Sequence, residues 1–254
     1  MATYKKRGYK PKDKKEQQAQ DMQSTTAEVF NTLDETASKS EQWIEKNSKP
    51  LFYGLTLVAV IILGFLGYNK FIAEPAEVQA SNDLAFPRKY FDEASVAGSG
   101  VDSLLTLALD GANGKYGFLD IISEHGSTKA GNLANYYAGL SYLQLKDYKN
   151  AIKYLDDFSS DDEALGPIAS GAIGDSFSDL NQQDKALEYY EKAANMKDNE
   201  YTSPLFLFKA GTVAMNLKQY DKALSLFTKI KEKYPTSDQG NDIDKYISMV
   251  KYAQ

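Results

Sequence analysis

One stretch pattern returns three times in the second half of this chain. NLANYYAGLSYLQLKDYKNAIKYLDDF, PIASGAIGDSFSDLNQQDKALEYYEKA and PLFLFKAGTVAMNLKQYDKALSLFTKI align without gaps across their centres. In each copy a Gly is followed twelve residues later by an Ala: Gly139 and Ala151, Gly174 and Ala186, Gly211 and Ala223. Four residues beyond each Ala stands a large apolar residue, Leu155, Tyr190 or Phe227. The periods are 35 and then 37 residues, the length of a repeated helical hairpin. Two antiparallel helices approach closely only where a small residue on each admits the other's bulk, and the Gly and Ala supply that. The Asp-Tyr and Gln-Tyr steps between them read as the turns. A hairpin of this kind cannot bury its faces alone, so the copies must stack, and the stack needs caps. Ile243, Tyr246, Ile247 and Val250 at helical spacing provide a C-terminal capping helix.

These residues resemble the tetratricopeptide repeat over roughly 132–235. Pro235 closes the third copy as that pattern expects, whereas Asn135 stands where a Trp is usual and the second copy lacks a closing Pro. The resemblance implies a right-handed α-solenoid whose first helices line a concave groove. Carried over by position, the groove would present Tyr136, Leu140, Leu143 and Gln144, then Gly171, Asp175, Ser178 and Asp179, then Phe208, Thr212, Met215 and Asn216. Arrays that clamp acidic chaperone tails place Lys and Asn at six of these positions. Here Tyr136, Leu140, Gly171, Asp175, Phe208 and Thr212 occupy them, so an anionic clamp is not expected. Apolar ends around an acidic middle suit a segment with hydrophobic anchors and a basic residue.

Upstream, PLFYGLTLVAVIILGFLGYN runs twenty residues without a charge between Lys49 and Lys70. A helix of that length spans about 30 Å, the apolar thickness of a bilayer. Trp43, Phe52 and Tyr53 on one side and Tyr68 and Phe71 on the other fit interfacial belts. The run begins too late and is too long for a cleaved signal peptide, so it reads as a retained anchor. Lys39, Lys46 and Lys49 precede it and only Lys70 follows closely, which puts the N-terminus in the cytoplasm and residues 71–254 across the membrane. Seven Lys or Arg fall among the first fifteen residues, an expected disordered topology signal that could also meet lipid headgroups or ribosomal RNA. Met22, Val29, Leu33, Thr36 and Trp43 give residues 16–46 the sparse stripe of a solvated or membrane-surface helix.

The net charge of −6 conceals this division. Residues 1–50 carry 10 Lys and Arg against 8 Asp and Glu, and residues 71–254 carry 18 against 27. An acidic chain argues against a nucleic-acid partner. The absence of Cys excludes disulfides, thiol catalysis and a lipid-modified Cys, and one histidine, His125, makes an acid–base triad or a multi-His metal site improbable. Gly111–Lys115 fails the phosphate-loop pattern, because Leu109 stands at the first glycine position and Tyr116 where Ser or Thr is needed. His125-Gly126 reads as a helix end with Gly at the C′ position. Asp156, Asp157, Asp161, Asp162 and Glu163 lack the spacing of a calcium loop and read as a solvated loop. No catalytic residue, cofactor, metal or small-molecule substrate is expected; a binding scaffold is.

The expected organisation is a cytoplasmic tail with a polar helix over 1–48, a transmembrane helix over 49–70, connecting helices over 71–131 and the repeats with their cap over 132–254. Residues 71–95 would continue the span outward. VDSLLTLALDGANGKYGFLDIISEH, with its Asp-Gly and Asn-Gly pairs, would form a degenerate fourth hairpin, and Pro87 and the AGSG run at 97–100 would mark loops. This layout, together with GFLDIISEHGSTKAGNLANYYAGLSYL, resembles the YfgM-like family of ancillary subunits of the bacterial SecYEG translocon, in the form found in Bacteroidetes-type bacteria. The resemblance implies a single-pass inner-membrane protein that works with a membrane-anchored periplasmic chaperone of the prolyl-isomerase type. The residues alone equally allow a scaffold for another envelope machine, such as division, gliding or secretion apparatus.

Overall fold

The computed structural model describes Val29, Glu41 and residues 43–253. The readings of residues 1–15 and of most of 16–46 fall outside the described residues. The chain divides at Tyr68/Asn69 into two units.

In the first unit, α1 spans Ser48–Tyr68. Among the described residues one helix holds a window apolar and long enough to cross a membrane, with mean hydropathy 2.2 and none of the window buried. A core helix of a soluble protein would bury such side chains, whereas Leu55, Ile61, Leu63 and Phe65 are all exposed.

The second unit opens with a π-helical turn, Asn69–Ala73, where Lys70 pairs with Glu74 at 2.9 Å. Helix α2 follows over Glu74–Val96. Pro87 lies inside it and marks no loop. A proline there forgoes one backbone hydrogen bond, but it stands in the buried stripe Ala80, Leu84, Pro87, Phe91 and Ala94, whose 4-3-4-3 spacing holds one helical face against the core. Ala97–Gly100 does form the loop expected of it. Helices α3 (Val101–Asp110) and α4 (Phe118–His125) follow. Between them Ala112 and Lys115 exchange backbone hydrogen bonds of 3.2 and 2.9 Å around Asn113 and Gly114, both at positive φ, as a tight turn requires. The two helices do not simply face each other: α3 leans mainly on α2, and α4 on the next helix.

That next helix begins the repeats: α5 (Lys129–Gln144) with α6 (Tyr148–Asp156), α7 (Leu165–Asp179) with α8 (Gln183–Met196), and α9 (Thr202–Asn216) with α10 (Tyr220–Lys233). A short turn of helix, α11 (Asp238–Asn241), and the cap α12 (Ile243–Ala253) complete the array. Each signature Gly faces the large residue of its own second helix. A Cβ on Gly139 would stand 2.5 Å from Leu155, one on Gly174 2.7 Å from the Tyr190 ring, and one on Gly211 would strike Phe227. Ala151, Ala186 and Ala223 are fully buried. The repeat-packing residues therefore act as matched notch-and-knob pairs.

The turns differ from expectation in an instructive way. The reversal occurs one residue earlier than the Asp-Tyr step, at Lys146, Asn181 and Lys218, all with φ between 57 and 63°. Around each, two backbone bonds close a Schellman motif, for example Gln219 N to Ala214 O at 2.8 Å and Lys218 N to Met215 O at 3.0 Å. Asp147, Gln182 and Gln219 are the N-cap residues that follow. A left-handed conformation costs a residue with Cβ roughly 1–2 kcal/mol. Lys218→Gly should therefore stabilise the array by about 0.5–1 kcal/mol, once the greater entropy of unfolded Gly is set against the relief. A lower denaturation midpoint in the variant would refute that.

Helix starts are fixed by short polar residues. Pro167 and Pro204 sit in the first turns of α7 and α9, where no intrahelical N–H is needed. Asp162 accepts from the N–H groups of Ala164 and Leu165 at 2.8 and 2.9 Å, and Asn199 serves Tyr201 and Thr202 in the same way, 37 residues on. The acidic loop is thus partly a helix cap. The Leu165 and then the Ala164 N–H hold the Asp162 carboxyl below its usual 3.8. A depressed carboxyl stabilises the fold above its unfolded pKa, and that contribution is lost as pH falls through the lower, folded value. Asp162→Asn, which keeps an acceptor but cannot titrate, should flatten the loss of stability below about pH 4; an unchanged acid limb in urea titrations would disprove this.

Candidate functional site

The groove residues do not all face open space. Tyr136 is 7% exposed and lies among Leu155, Ala169, Ala172 and Ile173, with its ring 5.1 Å from that of Phe158. Burial first, then the neighbouring Tyr137 and Asp162, push its hydroxyl up to about 12. Phe208 lies between Phe227, at 5.9 Å, and Tyr246 of α12, at 4.7 Å. Gly171 is filled by the ring of Phe206, which occupies the space of its missing Cβ. Leu140, Leu143 and Met215 are half-buried against the cores, and the Thr212 hydroxyl donates to the Phe208 carbonyl at 2.9 Å. Of the aromatic ends expected as anchors, Tyr136 is interior because the second repeat covers it, and Phe208 is partly covered by the cap. Gln144, Asp179 and Asn216 are exposed.

What is brought together is a cavity of about 370 Å³ between the first two repeats. Leu143, Gln144, Lys146 and Tyr148 line it from the first, and Asp175, Ser178, Asp179 and Tyr190 from the second. Its acidic middle is not vacant. Asp175 accepts from Lys209 Nζ at 2.6 and 2.9 Å and from the Tyr190 hydroxyl at 2.6 Å. Lys209 also stands over the rings of Tyr190 and Phe206, at 5.5 and 5.9 Å. Burial, then the hydrogen bond to Asp175, push the Tyr190 hydroxyl far above its usual range. Partial burial and a hydrogen bond to Asp179 likewise raise Tyr148. Family models described as tetratricopeptide repeat match residues 133–161 and 206–237, and another of the same description matches 169–200. The chain carries three tetratricopeptide repeats. No curated protein matches the chain at a significant level.

The repeats explain the site's make-up. First helices supply Leu143, Gln144, Asp175, Ser178 and Asp179, the turn and second helices supply Lys146, Tyr148 and Tyr190, and Lys209, on the first helix of the third repeat, closes the charge. Lys209 escaped the positional reading because it lies beside Phe208 and not on the groove positions carried over. A signal existed: it is the only charge in PLFLFKAGTVAMNL, and a lone cation in so apolar a run needs a partner. Tyr190 was recognised only as a packing knob, yet its hydroxyl reaches the groove. His125 ends α4, but Gly126 is right-handed with φ −57°, so it is not a C′ glycine. A Cβ there would stand 2.6 Å from the Ile122 carbonyl, which accounts for the small residue. The His125 ring is nearly buried, 3.7 Å from an Asp83 oxygen. Among the described residues no three metal-ligating side chains converge.

The chemistry available is recognition. The cavity offers hydroxyls, an amide, an exposed Asp179 and an already neutralised Asp175. Tetratricopeptide repeats of this kind are protein-interaction scaffolds.

Proposed function

We propose that this protein is a membrane-anchored scaffold which binds a protein segment through its repeats on the periplasmic side. In that role it would be an accessory subunit of the Sec translocon that cooperates with a membrane-anchored periplasmic chaperone. The observation that supports this reading is the joining of one wholly unburied apolar helix to a three-repeat array in a single chain. The resemblance of that layout to YfgM-like translocon subunits supplies the partner. The cavity at Gln144, Ser178 and Asp179, with Asn216 farther along the groove, would make the contact; Tyr136 and Phe208 would support it from within. Asp175 enters as half of an ion pair, so the segment need not bring a basic residue to neutralise it.

The test is affinity purification of the full-length chain from membranes in mild detergent, with crosslinkers at Gln144, Asp179 and Asn216. Translocon subunits and a periplasmic chaperone should be recovered together. Recovery of division, gliding or secretion components in their place would overturn the Sec assignment while keeping the scaffold. The orientation has its own check: protease added to spheroplasts should digest the repeats, and their protection would reverse it.

A further inference from the structure

The two junctions between repeats are built unequally. The second repeat is tied to the third on every side. The Phe206 ring fills the notch at Gly171 and lies parallel to Tyr190, 6.5 Å away. Asp175 and Lys209 pair across the junction on one side. On the other, Lys222, Lys229 and Lys233 of α10 reach Glu191 and Asn195 of α8 and Asp198 just beyond it, at 3.2, 2.9 and 3.3 Å. Tyr234 donates to that same Asp198. Exposed pairs of this kind are individually weak, but here they add to a filled aromatic contact and a half-buried, bidentate charge pair.

The first repeat meets the second differently. No ion pair joins α6 to α8 among the described residues. Small side chains, Ala169 and Ala172, face Tyr136 and Leu155 there. A half-open cavity of about 200 Å³ remains between the two repeats, walled by Leu155, Phe158 and Ser160 on one side and Ala169, Ile173 and Lys192 on the other. Across that gap the repeats are not packed against each other, so the junction forgoes dispersion contacts that closer packing would make. The link from α6 to α7, residues 157–164, is also longer than the turns within the repeats. Tyr148 and Asp179 line the 370 Å³ cavity from opposite sides of this junction.

The geometry points to the junction between the first and second repeats as a hinge that sets the width of the groove cavity. The residues before the hinge and those from α7 onward each have a core of their own, and the smaller cluster of Tyr136, Leu155, Ala169, Ala172 and Ile173 is the surface on which the two blocks move. Four of the cavity's lining residues belong to one block and four to the other, so a bound segment draws the blocks together. The ligand response rests on the function proposed above; the hinge itself does not.

Spin-label distance measurements on the full-length protein in nanodiscs test this, and the absence of native Cys keeps the background clear. Labels at Lys149→Cys and Glu188→Cys, both exposed, report on the first junction. Labels at Glu188→Cys and Ser225→Cys report on the second. The first distance distribution should be about twice as broad as the second, reflecting local opening of the weaker interface. Equal widths at the two junctions would overturn the hinge whatever partner the protein binds. Failure to recover any partner, with the widths still unequal, would count against the scaffold role alone.

Discussion

Phe227→Ala should cost the array about 4 kcal/mol, the usual loss when a fully buried phenylalanine is cut back. Phe227 has no solvent exposure. Its ring lies against the notch at Gly211 and meets Phe208 at 5.9 Å and Tyr246 at 5.7 Å. Truncation empties a contact shared by both helices of the third repeat and the cap. Neighbouring repeats support one another, so the loss should spread. Guanidinium titration of the full chain in detergent, followed by far-ultraviolet circular dichroism, should show a lower midpoint and loss of the C-terminal helices first. A loss under about 1 kcal/mol would mean that the site collapses around the gap and that Phe227 is not a keystone.

Val60→Arg combined with Ile61→Arg should release the protein from membranes. Each charge at the centre of a span costs about 3 kcal/mol on insertion scales, and each replaced residue contributed a few tenths in favour, so the pair removes roughly 6–7 kcal/mol. Both residues are exposed on α1. The wild-type chain should resist carbonate extraction and the double variant should appear in the soluble fraction. Retention of the double variant as an integral protein would rule out residues 50–69 as the anchor.

The helical architecture was legible because its causes are local. Gly139, Gly174 and Gly211, each with its Ala twelve residues on, encode helix–helix contact at fixed spacing, and the structure puts each Gly against the knob of its own hairpin. The groove was less legible because facing outward is not a property of one helix. Tyr136 and Phe208 hold groove positions in the repeat pattern, yet the next repeat covers one and the cap the other. Coverage depends on what stacks on top, which no single copy records. Asp175 read as an open acidic site because its partner, Lys209, lies 34 residues away. Pro87 read as a loop because the local rule for proline was weighed without the 4-3-4-3 stripe around it. For the groove residues a long-range neighbour overrode a short-range preference, and for Pro87 the apolar stripe of its own helix did.

The start of α5 shows where the folding unit begins. Its first backbone N–H groups, Lys129 and Ala130, are bound by the Glu77 carboxylate at 2.7 and 3.0 Å, from a residue more than fifty positions earlier. Ala130, Ala134 and Ala138 of α5 lie in one core with Leu84 and Phe91 of α2. A fragment cut at the first repeat would lose both the anion at the helix terminus and the lid over that alanine face. The smallest soluble piece worth expressing therefore begins near residue 74, and the helices ahead of the repeats are its N-terminal cap.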